Sequence, residues 1–169
     1  MAKIKIPEDL THHDSTGSGM SCKFYPITKR TGFKSFFNKG DAFRCWMLHH
    51  ALAEHGHTKS YVPAVRSALV QVGKKWGYAV EIVQVCTCDG QGNCPTCKLI
   101  SNMSYRKRDA MFRRMAHVIA TQVPKMSGFK KWFSSKDLLK RHWGSLVFDD
   151  HEFNWGSREG KPLFIDLSI

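Results

Sequence analysis

The chain has 169 residues, 42% of them hydrophobic and 12% aromatic, a composition that argues for a folded protein with one core, or a small core plus an appended module. Its 26 Lys and Arg outnumber 14 Asp and Glu for a net charge of +12, and that excess calls for an anionic partner: nucleic acid, nucleotide or an acidic protein surface. No apolar run reaches membrane-spanning length and the N-terminus lacks a signal-peptide core, so no membrane partner is expected, and a reducing, cytoplasmic setting is.

Residues 1–16 are polar and read as a flexible lead-in, with His12 and His13 as solvated loop residues. Gly17-Ser18-Gly19 opens a strand-like stretch around Cys22-Lys23-Phe24-Tyr25, and a turn over residues 28–31 leads to a second strand, Gly32-Phe33-Lys34-Ser35-Phe36-Phe37. Asp41 is placed to cap a helix from Ala42 to His55, whose apolar positions Phe43, Trp46, Met47, Ala51 and Leu52 recur at helical spacing before Gly56. His49, His50, His55 and His57 read as solvated or stacked imidazoles on that helix, since no second ligand set accompanies them. Tyr61 to Val72 has strand-like composition, Lys74-Lys75 suits a turn, and Trp76 to Val83 is the clearest buried strand.

Next come Cys86, Cys88, Cys94 and Cys97, four thiols in twelve residues as C-x-C and C-x-x-C across a Gly-rich turn. In a reducing compartment that pattern suits one tetrahedral Zn²⁺, closed and therefore structural; a redox-active or simply reduced thiol cluster is the other reading. The loop 86–97 is too short for a core of its own, so metal would supply its folding energy. Cys22 and Cys45 read as ordinary buried thiols. A long helix from about Ser104 to Gln122 turns Phe112, Met115, Ala116 and Ile119 inward and Arg106, Lys107, Arg108, Arg113 and Arg114 outward, until Pro124 and Gly128 break it. Ser134 with Asp137 resembles a capping box for a short helix over 136–143.

The C-terminal stretch concentrates unusual chemistry. Five of the acids of this basic chain, Asp149, Asp150, Glu152, Glu159 and Asp166, fall within its last 21 residues. Asp149, an amide at Asn154, a Gly-rich turn and a short apolar strand leading to Asp166 offer hard oxygen ligands of the kind Mg²⁺ takes together with phosphate oxygens.

Asp149-Asp150-His151-Glu152-Phe153-Asn154 and Asp166-Leu167-Ser168 resemble the catalytic loop and metal-binding aspartate of protein kinases. The order of elements is similar to that of the compact serine/threonine kinases and kinase-like proteins of bacteriophages. The resemblance implies an α+β, truncated protein-kinase-like fold over 17–169, with residues 86–97 as a small four-cysteine zinc-loop insertion. It implies that Mg²⁺-ATP is bound, with Asp149 positioning the phosphoacceptor, Asn154 and Asp166 holding Mg²⁺, and Lys34 meeting the phosphates. Gly17 and Gly19 would be a remnant of the phosphate-covering loop, and Glu81 would fall at the adenine-binding hinge. Two departures accompany it. The helix after Lys34 has Trp46 and Met47 where a glutamate would pair with the lysine, and the sequence ends three residues after Asp166. The resemblance therefore implies either a phosphotransferase acting on a host protein or a non-catalytic scaffold that binds a host protein or nucleic acid through its basic surface. Either would work in the host bacterial cytoplasm, with the oligomeric state open. A third reading, a metal-dependent nuclease or phosphohydrolase using His151 as base and Glu152 as an added ligand, ranks below both.

Overall fold

The computed structural model describes residues 6–10, 15, 17–18, 22–88, 92–132 and 154–167. Among these residues the chain is mixed α and β, as expected, with antiparallel strand pairing throughout its two sheets. β1 (Gly17–Ser18), β2 (Cys22–Pro26) and β3 (Thr31–Phe36) form a meander. The Thr28 hydroxyl shapes its second turn by accepting from the N–H groups of Arg30 and Thr31 at 3.2 and 3.0 Å. After helix α1 (Lys39–Glu54), β4 (Val70–Val72) and β5 (Lys75–Glu81) return, and β5 inserts beside β3 to give the order β1-β2-β3-β5-β4.

Residues opposite one another on neighbouring strands share a face. Phe24, Lys34 and Tyr78 therefore stand in one row, and Gly17 holds the same row position at the sheet edge. That face packs on α1, where Phe36, Tyr78 and Val80 join Cys45, Leu48 and Leu52 in the main core. Tyr25 and Phe33 occupy the other face, and Leu10, from the expected lead-in, is buried against them with Ile6 alongside.

The N-cap of α1 is Asn38, not Asp41. Asn38 Oδ1 accepts from the Asp41 N–H at 2.7 Å, which starts the helix three residues earlier than expected and leaves Asp41 in its first turn, ion-paired with Arg44. His49 also departs from the surface reading: it is 3% exposed, because α1 lies between the sheet and a second helix and has few open faces. His50 does stack on Trp46, at 5.0 Å and nearly parallel. Most of Tyr61 to Val72 is not strand. Pro63 has no N–H to give a ladder, and the Ser67 hydroxyl takes the Ala79 N–H at 2.8 Å, so the segment makes only a bridge between Val65 and Val80 before β4 begins.

Two residues, Ile82 and Val83, carry the chain from the first sheet to the second, in which β6 (Gln84–Val85), β7 (Trp155–Arg158) and β8 (Lys161–Phe164) pair in order. The β7–β8 hairpin turns on Glu159 and Gly160, both at positive φ (52° and 71°), the conformation a two-residue hairpin turn needs and glycine accepts most easily. Between β6 and β7 lie α2 (Pro95–Ser101), α3 (Tyr105–Gln122), a 3₁₀ turn at Val123–Lys125 and α4 (Phe129–Trp132). Ser104 caps α3, and its buried stripe adds Met111 and Val118 to the expected Phe112, Met115 and Ile119. Phe112 meets Trp155 and Phe164 with ring centroids 5.7 and 5.3 Å away, which seats the helix on the hairpin. The expected helix over 136–143 lies outside the described residues. No described helix is long and apolar enough to cross a membrane.

Candidate functional site

Lys34 and Asp166, 132 residues apart in sequence, meet across the junction of the two sheets. Lys34 Nζ donates to Asp166 Oδ1 at 3.2 Å; the lysine side chain is 12% exposed and the aspartate 41%. Burial pulls the Lys34 ammonium down, but its electrostatic attraction to the Cys45 sulfur and the Asp166 carboxylate more than reverses this, and the net shift is upward. Burial also holds the Cys45 thiol up, in its neutral form. The carboxylate that meets Lys34 belongs to Asp166, and at 41% exposure its side chain remains open to a cation arriving from solvent.

Behind this pair α1 presents two uncharged groups, Cys45 and His49. The Cys45 thiol donates to the Leu167 carbonyl at 3.0 Å, tying the segment that carries Asp166 to the helix. One helical turn on, His49 Nε2 lies 2.8 Å from the Pro63 carbonyl, which can only accept, so the proton sits on Nε2. Nδ1 is then the acceptor for the Tyr78 hydroxyl at 3.2 Å, and that hydroxyl lies 3.6 Å from Cys45 Sγ. Burial, with the Lys34 charge second, lowers the His49 pKa to about 3. The imidazole is thus a neutral structural link.

The other expected residues are placed as follows. Asn154 precedes β7, and its carbonyl accepts from the Ile165 N–H at 2.8 Å, which puts its backbone beside that of Asp166. Glu81 ends β5, where Oε2 accepts from Arg158 at 2.6 Å and from the Ala64 N–H at 3.0 Å, a clamp between the sheets. Gly17 heads the row that contains Lys34, and the tip of the Phe24 ring in that row reaches over Gly32: a Cβ there would come within 2.1 Å of Phe24 Cζ. Asp149 and Gly19 lie outside the described residues.

The second cluster is the cysteine set. Cys86, Cys88, Cys94 and Cys97 place all four sulfurs within 4.8 Å of one another, so the group can hold a metal ion. The spacings between the Cys86, Cys88 and Cys97 sulfurs are 3.3, 3.6 and 3.7 Å, close to the edge of roughly 3.8 Å expected for a tetrahedron with metal–sulfur bonds of about 2.3 Å. Cys94 caps α2, a helix the spacing alone does not reveal, with its sulfur accepting the Cys97 N–H at 3.4 Å. That backbone N–H, with a second from Thr87, lowers the Cys94 thiol to about 6, while hydrogen bonding with Cys86 first, then burial, pushes Cys97 up. One thiolate is ready for a cation, and a cation would draw the remaining protons off. The helix that Cys94 starts is tied to β7 through Thr96 Oγ1 and Ser157 Oγ, 3.4 Å apart.

No family model, curated protein or solved structure matches the chain significantly.

Proposed function

We propose that the chain binds a magnesium nucleotide, with ATP as the first ligand to test, at the junction of the two sheets. The observation that carries this reading is the meeting of Lys34 and Asp166. An ion pair whose carboxylate is 41% exposed is screened from that side and contributes roughly 0–1 kcal/mol, whereas each large apolar side chain buried in the hairpin, such as Trp155, Leu163 or Phe164, contributes about 1.5–3 kcal/mol. Packing holds the hairpin in place, and the ion pair is too weak to explain a lysine held beneath a sheet. Phosphate charge does explain it. In this reading Asp166 and Asn154 would hold Mg²⁺, which would supply charge neutralisation for phosphate, and Lys34 would take the remaining phosphate charge. A lysine on the third strand and an aspartate after the last hairpin strand is also the division of labour in protein kinases. Cys45 and Leu167 would do by hydrogen bond what a helix glutamate does there by charge: fix the helix relative to the phosphate lysine.

The four cysteines in this proposal hold Zn²⁺. An all-sulfur tetrahedral set suits zinc, and four thiolates leave no open position for catalysis, so the ion would be structural.

The deciding experiment is calorimetric titration of the zinc-loaded chain with Mg²⁺-ATP, repeated without Mg²⁺ and with Lys34→Met and Asp166→Ala. Saturable, Mg²⁺-dependent binding weakened at least about tenfold in both variants is expected, a loss of roughly 1.4 kcal/mol or more. Wild-type protein that gives no heat with Mg²⁺-ATP would end the nucleotide reading. Transfer of labelled phosphate to a host protein is the next test once binding is seen.

A further inference from the structure

We infer that the outer face of α3 binds the backbone of single-stranded nucleic acid, independently of the nucleotide reading above. Between Cys94 and Trp132 nine Lys and Arg stand against Asp109 as the sole acid, so most of the +12 net charge originates in this one stretch. The core takes the apolar side of α3 through Met111, Phe112, Met115, Val118 and Ile119. On the opposite side Arg106, Arg113 and His117, at i, i+7 and i+11, share one exposed edge, with the exposed Ala110 between the two arginines and the exposed Ala120 continuing the row beyond His117. Lys107 and Arg114 flank that edge, exposed as well. Seven residues of helix put Arg106 and Arg113 about 10 Å apart along the axis, a spacing that lets them address separate phosphates of one strand.

Asp109 does not neutralise this stripe. It pairs with Arg113 at 2.9 Å, but the arginine side chain is 80% exposed, and such an i,i+4 pair on a helix surface is weak enough for a phosphate to displace. At the start of the helix Tyr105 is 75% exposed, one of few large hydrophobic side chains open to solvent among the described residues. An aromatic ring beside a row of cations is the combination that stacks an unpaired base while its phosphates are held.

Other anionic partners fit less well. A protein–protein interface needs an apolar centre, and this face offers only alanines between its charges. A membrane-surface helix inserts its apolar side, which here is already committed to Trp155 and Phe164.

The test is fluorescence anisotropy of a labelled 20-nucleotide single strand, with a 20-base-pair duplex and a polyglutamate of equal charge as comparisons, titrated from low to high salt. The whole chain is used, with Arg106→Ala/Arg113→Ala and Tyr105→Ala variants whose melting temperatures are checked against wild type. Binding that weakens steeply with salt is expected, together with a log–log slope shallower by about 1.4 on the single strand in the double-arginine variant. Tyr105→Ala should weaken the single strand at least about fivefold, with little effect on duplex, since each base–aromatic stack contributes about 1–3 kcal/mol. The inference is overturned if the single strand does not bind, if the double-arginine variant binds like wild type, or if polyglutamate binds as tightly as the oligonucleotide. The magnesium-nucleotide site is read separately by calorimetry, so either result can fail alone.

Discussion

Lys34 and His49 sit on facing elements of one core and carry opposite lessons about buried basic groups. Lys34 keeps its charge because Asp166 stands 3.2 Å away; His49 gives its charge up because the groups that meet its ring are a carbonyl and a phenol. Removing one partner of an ion pair is costly where the other charge is left buried, but the Asp166 side chain is 41% exposed and can turn to water. Lys34→Met is therefore expected to keep or raise the melting temperature while abolishing nucleotide binding, and a fall of several degrees would instead assign the lysine a structural role. For His49 the sign follows from its folded pKa of about 3 against roughly 6.5 unfolded. Above the unfolded value neither state binds the proton and the contribution is complete. As pH falls from about 6.5 towards 3 only the unfolded chain takes the proton, and stability drops by up to about 1.4 kcal/mol per pH unit. Urea melts from pH 7 to 4 should show a shallower acid loss in His49→Gln than in wild type; parallel curves would contradict the neutral buried imidazole.

At the scale of elements, the cysteine loop and α2 govern the small sheet more than the large one. Cys86 directly follows β6, Cys94 starts α2, and Thr96 of α2 meets Ser157 of β7. A metal at the four sulfurs would thus clip β6 and α2 together against the hairpin that leads to Asp166. Removing it with a strong chelator is expected to lower the melting temperature by on the order of 10 °C, because metal binding to such a loop is folding free energy. Hydrogen exchange should quicken first in β6, β7 and β8, with β2, β3 and β5 following only on global unfolding. Uniform loss of protection would show instead that the two sheets open together. Cys94→Ser should reproduce the chelator effect and make the protein insensitive to further chelation.

At the scale of the whole molecule, α3 is shared between the core and the solvent face on which the nucleic-acid inference rests. Phe112, 9% exposed, packs against both Trp155 and Phe164, whose rings lie 5.4 Å apart in an edge-to-face arrangement. Phe112→Ala should cost about 3–4 kcal/mol in denaturant unfolding. It should also weaken nucleotide binding, since the same contact seats the hairpin before Asp166. Wild-type affinity in that variant would separate the packing of α3 from the Lys34–Asp166 geometry. The arginines on the opposite side of the helix touch no core residue through that contact, so their substitution is expected to leave stability within about 0.5 kcal/mol of wild type.

The amino-acid sequence by itself determined the features that depend on local chemistry. These are the α3 stripe and its charged side, the β5 run, the breaks at Pro124 and Gly128, and the four cysteines, whose spacing of C-x-C and C-x-x-C already restricts them to one small loop. It also marked Asn154 and Asp166 as candidates, because an amide and a carboxylate around a turn are uncommon company in so basic a chain, whereas Lys34 was singled out only by the resemblance to protein kinases. What only the tertiary structure decided is which distant groups meet. Lys34 finds Asp166 because β3 and the β7–β8 hairpin converge, and Glu81 is taken by Arg158 because the end of β5 passes the same hairpin. In sequence Cys45 and His49 look like an ordinary thiol and a surface imidazole, although their i,i+4 spacing is visible there. Their partners Leu167, Pro63 and Tyr78 lie on other elements, and hydrogen bonds between elements leave no periodic trace in a single chain. The strand composition of 61–72 misleads for the same reason: one proline and one serine side chain move its backbone bonds out of a regular ladder. Local periodicity is written into each segment, but burial and pairing belong to the packed whole.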